Sequence, residues 1–156
     1  MELVYLGDPV LREICEKVDL NQEKDYINKL VDDMIKLTIE SKGVGLAAPQ
    51  VGISICLIVI KDMETSQFIE MINPEIVWKS FDREYDDEGC LSVLGDDNKP
   101  IHKKIWRYKR IKVKWQDKNG NFYEKLFTNP LQSRIIQHET DHLRGRLFID
   151  YLENEE

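Results

Sequence analysis

Cysteine and histidine are both scarce in this chain, with three of each in 156 residues. Cys15, Cys56 and Cys90 are odd in number and widely spaced. That excludes a disulfide framework and points to a reducing compartment such as the cytoplasm. Long apolar runs are missing as well. The longest, around Ile53–Ile60, is strand-sized and far short of the roughly 20 residues of a membrane span, so no membrane partner is expected. The opening MELVYLGDPV has no basic stretch followed by an apolar one, so no signal peptide is expected. Net positive charge is absent too. A formal charge of −7 argues against DNA, or any naked nucleic acid, as the main partner. No internal repeat or low-complexity segment is present. What remains is 42% hydrophobic and 33% charged, the balance of a soluble globular chain, expected to form one domain over residues 1–156.

Apolar residues at helical spacing (Ile27, Leu30, Val31, Met34, Leu37) predict a helix from Gln22 to Ser41, with Asn21 as N-cap and Gly43 as its stop. GVGLAAPQVG is too rich in Gly and Pro for an element interior. ISICLIVI reads as a buried strand, and FIEMIN and EIVWKS as two more, broken at Asn73-Pro74. IKVKW and NFYEKLF, joined by a turn at Asp117–Gly120, predict a hairpin. Asn129-Pro130 is a strong helix start, for a helix running to about Arg144 and stopping at Gly145. The expected class is α+β: antiparallel or mixed sheets packed around a C-terminal helix, with a second helix near the N-terminus.

Two of the three histidines fall in that C-terminal helix, in QHETDH: His138 and His142, four residues apart and flanking Glu139. The spacing puts both imidazoles on one face, along a stripe with Leu131 and Ile135 that faces the sheets. His-Glu-x-x-His on a capped helix can grip one metal ion and set a glutamate beside it. A third ligand downstream is not offered. Phe148 stands where a metzincin-type histidine would be, and Asp150 and the ENEE tail read as a solvated end. Upstream candidates are His102 and the cysteines. Cys15 lies in a charged segment and Cys56 in an apolar strand, whereas Cys90, in DDEGCLS, sits at a glycine-containing break where a thiolate can point into a cleft.

Three stretches in order, GVGLAAPQ (residues 43–50), EGCLS (88–92) and QHETDH (137–142), resemble the peptide deformylase family, supported by GDPVLR, INPEI and DHLRGRLFIDYL. The resemblance spans nearly the whole chain. It implies that Cys90, His138 and His142 bind one divalent metal, usually Fe(II) in the family with Zn, Ni or Co substituting. It implies further that Glu139 is the general base and that the Gln50 side-chain amide and the Leu91 N–H stabilise the oxyanion. The implied reaction removes the formyl group from N-formyl-methionyl peptides of nascent proteins and releases formate. The chain departs from the family's pattern after EGCLS, where Val93–Asn98 replaces a proline-containing turn and the segment up to Arg110 is longer.

Glycines in GVGLAAPQ do not fit a phosphate-binding loop, since no lysine follows. They suit backbone exposure, with Val44 and Gly45 pairing with an extended peptide and Gly89 doing the same across the cleft. Val44, Leu131 and Ile135 are candidate walls for a methionine side chain, and ordinary core is the plainer expectation for each. Other readings of the chain are an HExxH metallopeptidase, a structural metal site, and a deformylase relative that only binds peptides. Finally, seven Lys/Arg residues gather between Lys103 and Lys114. A solvated basic face balancing Asp82–Glu88 is the plainer expectation. Transient docking on ribosomal RNA is the sharper one.

Overall fold

The computed structural model describes residues 1–154. Among the described residues seven strands and two α-helices follow one another, with short 3-10 turns between them. A five-stranded sheet has the order β1-β2-β3-β6-β7, from β1 (Gly45–Ala47), β2 (Leu57–Lys61), β3 (Phe68–Lys79), β6 (Ile111–Gln116) and β7 (Phe122–Phe127). A separate two-stranded sheet is made by β4 (Arg83–Leu94) and β5 (Pro100–Tyr108). All the strand pairs are antiparallel, so the expected α+β class holds and its mixed-sheet option does not.

The buried strand β2 shows why the chain needs helices on both sides of the large sheet. Leu57 and Val59 pack with Ile27, Leu30, Val31 and Met34 of α1 (Leu20–Glu40). Ile58 and Ile60, on the opposite face, pack with Ile135 and Ile136 of α2 (Pro130–His142). Side chains alternate across a strand, so a sheet covered on both faces reads as a continuous apolar run. Among the described residues no helix is long and apolar enough to cross a membrane.

Several boundaries differ from expectation. Helix α1 starts earlier because the Asp19 carboxylate, not Asn21, caps it by accepting from the Asn21 N–H. It ends at Glu40, and Lys42 rather than Gly43 takes the positive φ of 58°. Residues 53–56 are not strand. They are held by the N-terminal segment, where the Cys56 N–H donates to the Glu16 carbonyl at 2.8 Å and the Glu16 N–H to the Ser54 carbonyl at 3.1 Å. Pro74 does not break β3. It falls at a register shift between Ile72 and Glu75, where a missing N–H costs no ladder bond. Asn73 adopts φ 50° there and exchanges hydrogen bonds with the Val18 backbone at 2.8 and 2.9 Å. The hairpin β6–β7 and its turn, and the Asn129 cap of α2, are as expected. GVGLAAPQVG does hold elements, β1 and a 3-10 turn over Ala48–Val51. Asp150 is no free end: it binds Arg12 through two contacts of 2.7 and 3.1 Å and accepts from the Leu147 N–H. The last two residues of the ENEE tail, 155–156, lie outside the described residues.

Candidate metal centre

Helix α2 is buried from Gln132 to His142, which is unusual for a segment so polar. Buried polar groups need partners, and the arrangement of those partners builds the site. His138 and His142 stand one turn apart with ring centroids 5.1 Å apart. Cys90 reaches them from β4, its Sγ 3.5 Å from the His142 Nε2. The three side chains offer ligand atoms that all lie within 4.8 Å of one another, and all three residues are buried. Cys90 is therefore the upstream residue that joins the histidines. It does so from within β4, just after Gly89, where the ladder with β5 shifts its register as the glycine-containing break suggested. His102 is not in the group; it is exposed, and its ring lies over Gly89, where a Cβ would meet the imidazole Cε1 at 2.6 Å. Cys15 and Cys56 lie together elsewhere, with burial pushing the Cys15 thiol up to about 11.

A side chain that sequence reading passed over organises the site. Glu88 lies two residues before Cys90, so both point to the same face of β4. Its Oε1 accepts from Arg107 at 2.6 Å and lies 2.6 Å from the His138 Nδ1. Its Oε2 accepts from Arg107 and Arg134, both at 3.0 Å. Arg107 continues to Asp141 at 2.7 Å. Burial opposes charge on Glu88, but the bonds from His138 and Arg107 outweigh it and hold the carboxyl well below its usual range. Occupation of His138 Nδ1 leaves Nε2 free to face a cation, the carboxylate arrangement found around metal-binding histidines. The alternation Glu88–Cys90 puts the two on one face of β4, but the partners of Glu88 come from β5 and α2, outside the motif.

Glu139 is buried beside the ligands, with its Oε1 3.6 Å from the His138 Nε2 and its Oε2 without a hydrogen-bond partner among the described residues. Burial pushes its carboxyl up to about 7. Gly45 makes this approach possible, since a Cβ there would meet the Glu139 Cγ at 3.0 Å. Gln50 is 1% exposed, not a surface loop residue. Its Oε1 accepts from the Ala47 N–H at 3.0 Å, which turns Nε2 towards Ser92 Oγ (3.1 Å) and Cys90 Sγ (3.5 Å).

These groups surround a cavity of about 360 Å³, lined also by Val44, Gly89, Leu91, Leu131 and Ile135. Ile135 is core as well as wall, at 6% exposure, but Val44 (46%) and Leu131 (53%) are walls only. Strand β1 is a sheet edge. The Lys61 N–H donates to the Val44 carbonyl at 2.8 Å, so Val44 faces β2 and the neighbouring Gly45 turns its backbone to the open edge. A cation fits this donor set. Two imidazoles and a thiolate are a coherent soft-to-borderline set, and the unpartnered Glu139 oxygen adds negative charge beside it.

The sequence matches the model of the polypeptide deformylase family over residues 1–156. It is 44% identical over 149 residues to a peptide deformylase 1 of Clostridium perfringens, covering 96% of this chain and 95% of that protein. A peptide deformylase of Bartonella quintana is 39% identical over 153 residues, covering 96% and 82%. The crystal structure of the peptide deformylase from Thermotoga maritima superimposes with a TM-score of 0.86 at 38% identity, covering 96% of this chain and 95% of that one.

Proposed function

The chain belongs to the polypeptide deformylase family, metal-dependent hydrolases that remove the formyl group from nascent peptides, and on that premise we propose a role for each residue of its site. Cys90, His138 and His142 hold one divalent metal ion, Fe(II) by preference, with Zn, Ni and Co also suited to a thiolate and two imidazoles. The observation that carries this reading is the meeting of three buried ligand atoms within 4.8 Å, with Glu139 beside them. Bound there, the metal would supply a water of lowered pKa and polarise the formyl carbonyl.

The remaining work falls to the chain itself. Glu139 takes the proton from the attacking water and returns it to the amine that leaves. The Gln50 amide and the Leu91 N–H donate to the oxyanion that develops on the formyl oxygen. Gln50 is suited to this because its other end is tied to Ala47, so no reorganisation is needed. Gly45 pairs with the extended substrate through its free edge, Gly89 lies across the cleft, and Val44, Leu131 and Ile135 receive the methionine side chain. The products are formate and a peptide with a free amino terminus. A peptidase cutting internal bonds would not need Cys90, and a structural site would close with four protein ligands.

We attach two further readings. A reducing cytoplasm suits three free cysteines. A transient ribosome contact would use the exposed Lys103 and Lys104 of β5. The rest of that basic run is not one patch. Lys109 is half-buried, Arg107 is buried in ion pairs, Arg110 pairs with Asp82, and Lys112 and Lys114 pair with Glu124. Co-sedimentation with ribosomes across a salt series, comparing the parent with Lys103→Gln/Lys104→Gln, reads this contact.

Metal analysis of anaerobically purified protein tests the ligand assignment. Cys90→Ala is expected to lose both bound metal and formate release from a short formyl-Met peptide. Full metal occupancy in that variant contradicts the assignment.

A further inference from the structure

A second cavity, of about 670 Å³, reaches the other end of the buried ion-pair chain: Arg107 and Asp141 line it, whereas Glu88 and His138 line the cleft. Lys79, Arg83, Arg144 and Arg146 stand on its walls, all exposed. The one carboxylate among its lining residues, Asp141, is buried and already engaged by Arg107 (2.7 Å), the Tyr151 hydroxyl (2.7 Å) and Arg144 (3.0 Å). Lys79, Arg83 and Arg146 make no direct ion pair among the described residues. Each is laid over an aromatic ring instead: Lys79 over Tyr108 at 5.2 Å, Arg83 over Trp106 at 5.3 Å and Arg146 over Tyr151 at 5.5 Å. A cation held by a ring keeps its N–H donors free for an anion.

The rings are themselves available. Trp106 and Tyr85 pair at 5.1 Å yet stay 45% and 46% exposed. Phe81, fully exposed, projects from the turn between Lys79 and Arg83. A simple anion needs only the cations, and an apolar ligand only the rings. An aromatic base carried on a phosphate uses both. The overall charge of −7 does not oppose this, because screening confines the field of distant carboxylates to about 8–10 Å at ordinary salt.

We propose that this cavity binds nucleotide units, with phosphate on Lys79, Arg83 and Arg146 and the base against Trp106 and Tyr85. A single RNA strand and a free nucleotide carry the same chemistry. The site does not include Lys103 or Lys104, and it does not depend on the roles given to the metal centre.

Fluorescence anisotropy of a labelled short oligouridylate, titrated with the metal-loaded protein across a salt series, tests the proposal, with UMP as competitor. Arg83→Gln/Arg146→Gln is expected to weaken binding about tenfold and to lower the salt slope by about one to two. Trp106→Leu, or Tyr85→Leu as a second ring variant, is expected to weaken it by about tenfold at every salt concentration. Turnover of a short formyl-Met peptide stays at the parent level in each variant, which also reports that it has folded. Displacement by UMP at matching nucleotide concentration identifies a free nucleotide as ligand, and displacement only by oligonucleotide identifies a strand; either supports the site. Absence of binding, or parent-like binding by the arginine variant, overturns it. So does weakening by the arginine variant alone with both ring variants unchanged, which marks a general anion patch.

Discussion

Glu88 and Cys90 illustrate what a residue-level reading reaches and what it misses. Residue type and motif singled out Cys90, His138, His142, Glu139 and Gln50, and the structure brings the five side chains together. Glu88 was not singled out, although it belongs to the same EGCLS stretch. Its work is to hold the His138 Nδ1 while bound to Arg107 and Arg134, and those partners arrive from β5 and α2. No spacing within one motif encodes that meeting. Second-layer carboxylates of this kind tune metal affinity by about 10- to 100-fold. Glu88→Gln keeps the shape and removes the charge, so it is expected to bind metal weaker by that factor. A chelator competition titration measures it, and parent affinity in the variant would deny Glu88 this role.

At the scale of elements, legibility followed how local each determinant is. The cap of α2 is local, and Asn129-Pro130 announced it. The Asn129 Oδ1 accepts from the N–H groups of Leu131 and Gln132 at 2.9 and 3.1 Å. Asn129→Ala is expected to cost about 1 kcal/mol of unfolding free energy, read as a lower urea midpoint with unchanged slope. Because the cap lies more than two turns from His138, metal content should not change. Strands β4 and β5 were not legible. The acidic run Asp86–Glu88 and Gly89 look like a loop, but they pair with Ile105, Lys104, Lys103 and His102 across the hairpin. The buried bonds of Glu88 to Arg107 and Arg134, and an imidazole filling the space over Gly89, make a strand of residues with poor intrinsic preference for one. The same tertiary override carried β3 through Pro74 as a bulge.

For the whole molecule, the sequence indicated the α+β class and the meeting of EGCLS with the C-terminal helix, while the way the two sheets divide around α2 emerged only from the fold. That division leaves the Cys90 sulfur, both imidazoles and Glu139 buried on one side of a cleft whose other side is the open edge of β1. A cysteine sulfur beside a reduced ion would have a chemical consequence. With Fe(II) bound, activity is expected to decay fast in air, and with Ni(II) slowly, because only the iron form offers an easily oxidised centre next to Cys90. Equal decay rates of the two metal forms, followed by formate release, would count against iron-linked oxidation. The most direct measurement of the central claim compares parent and Glu139→Gln, each with its metal content determined, for formate released from a short formyl-Met peptide. The account predicts one metal ion per chain in both, with release slower by about 10² or more in the variant. Parent-like release by metal-loaded Glu139→Gln, or no release by the metal-loaded parent, would contradict it.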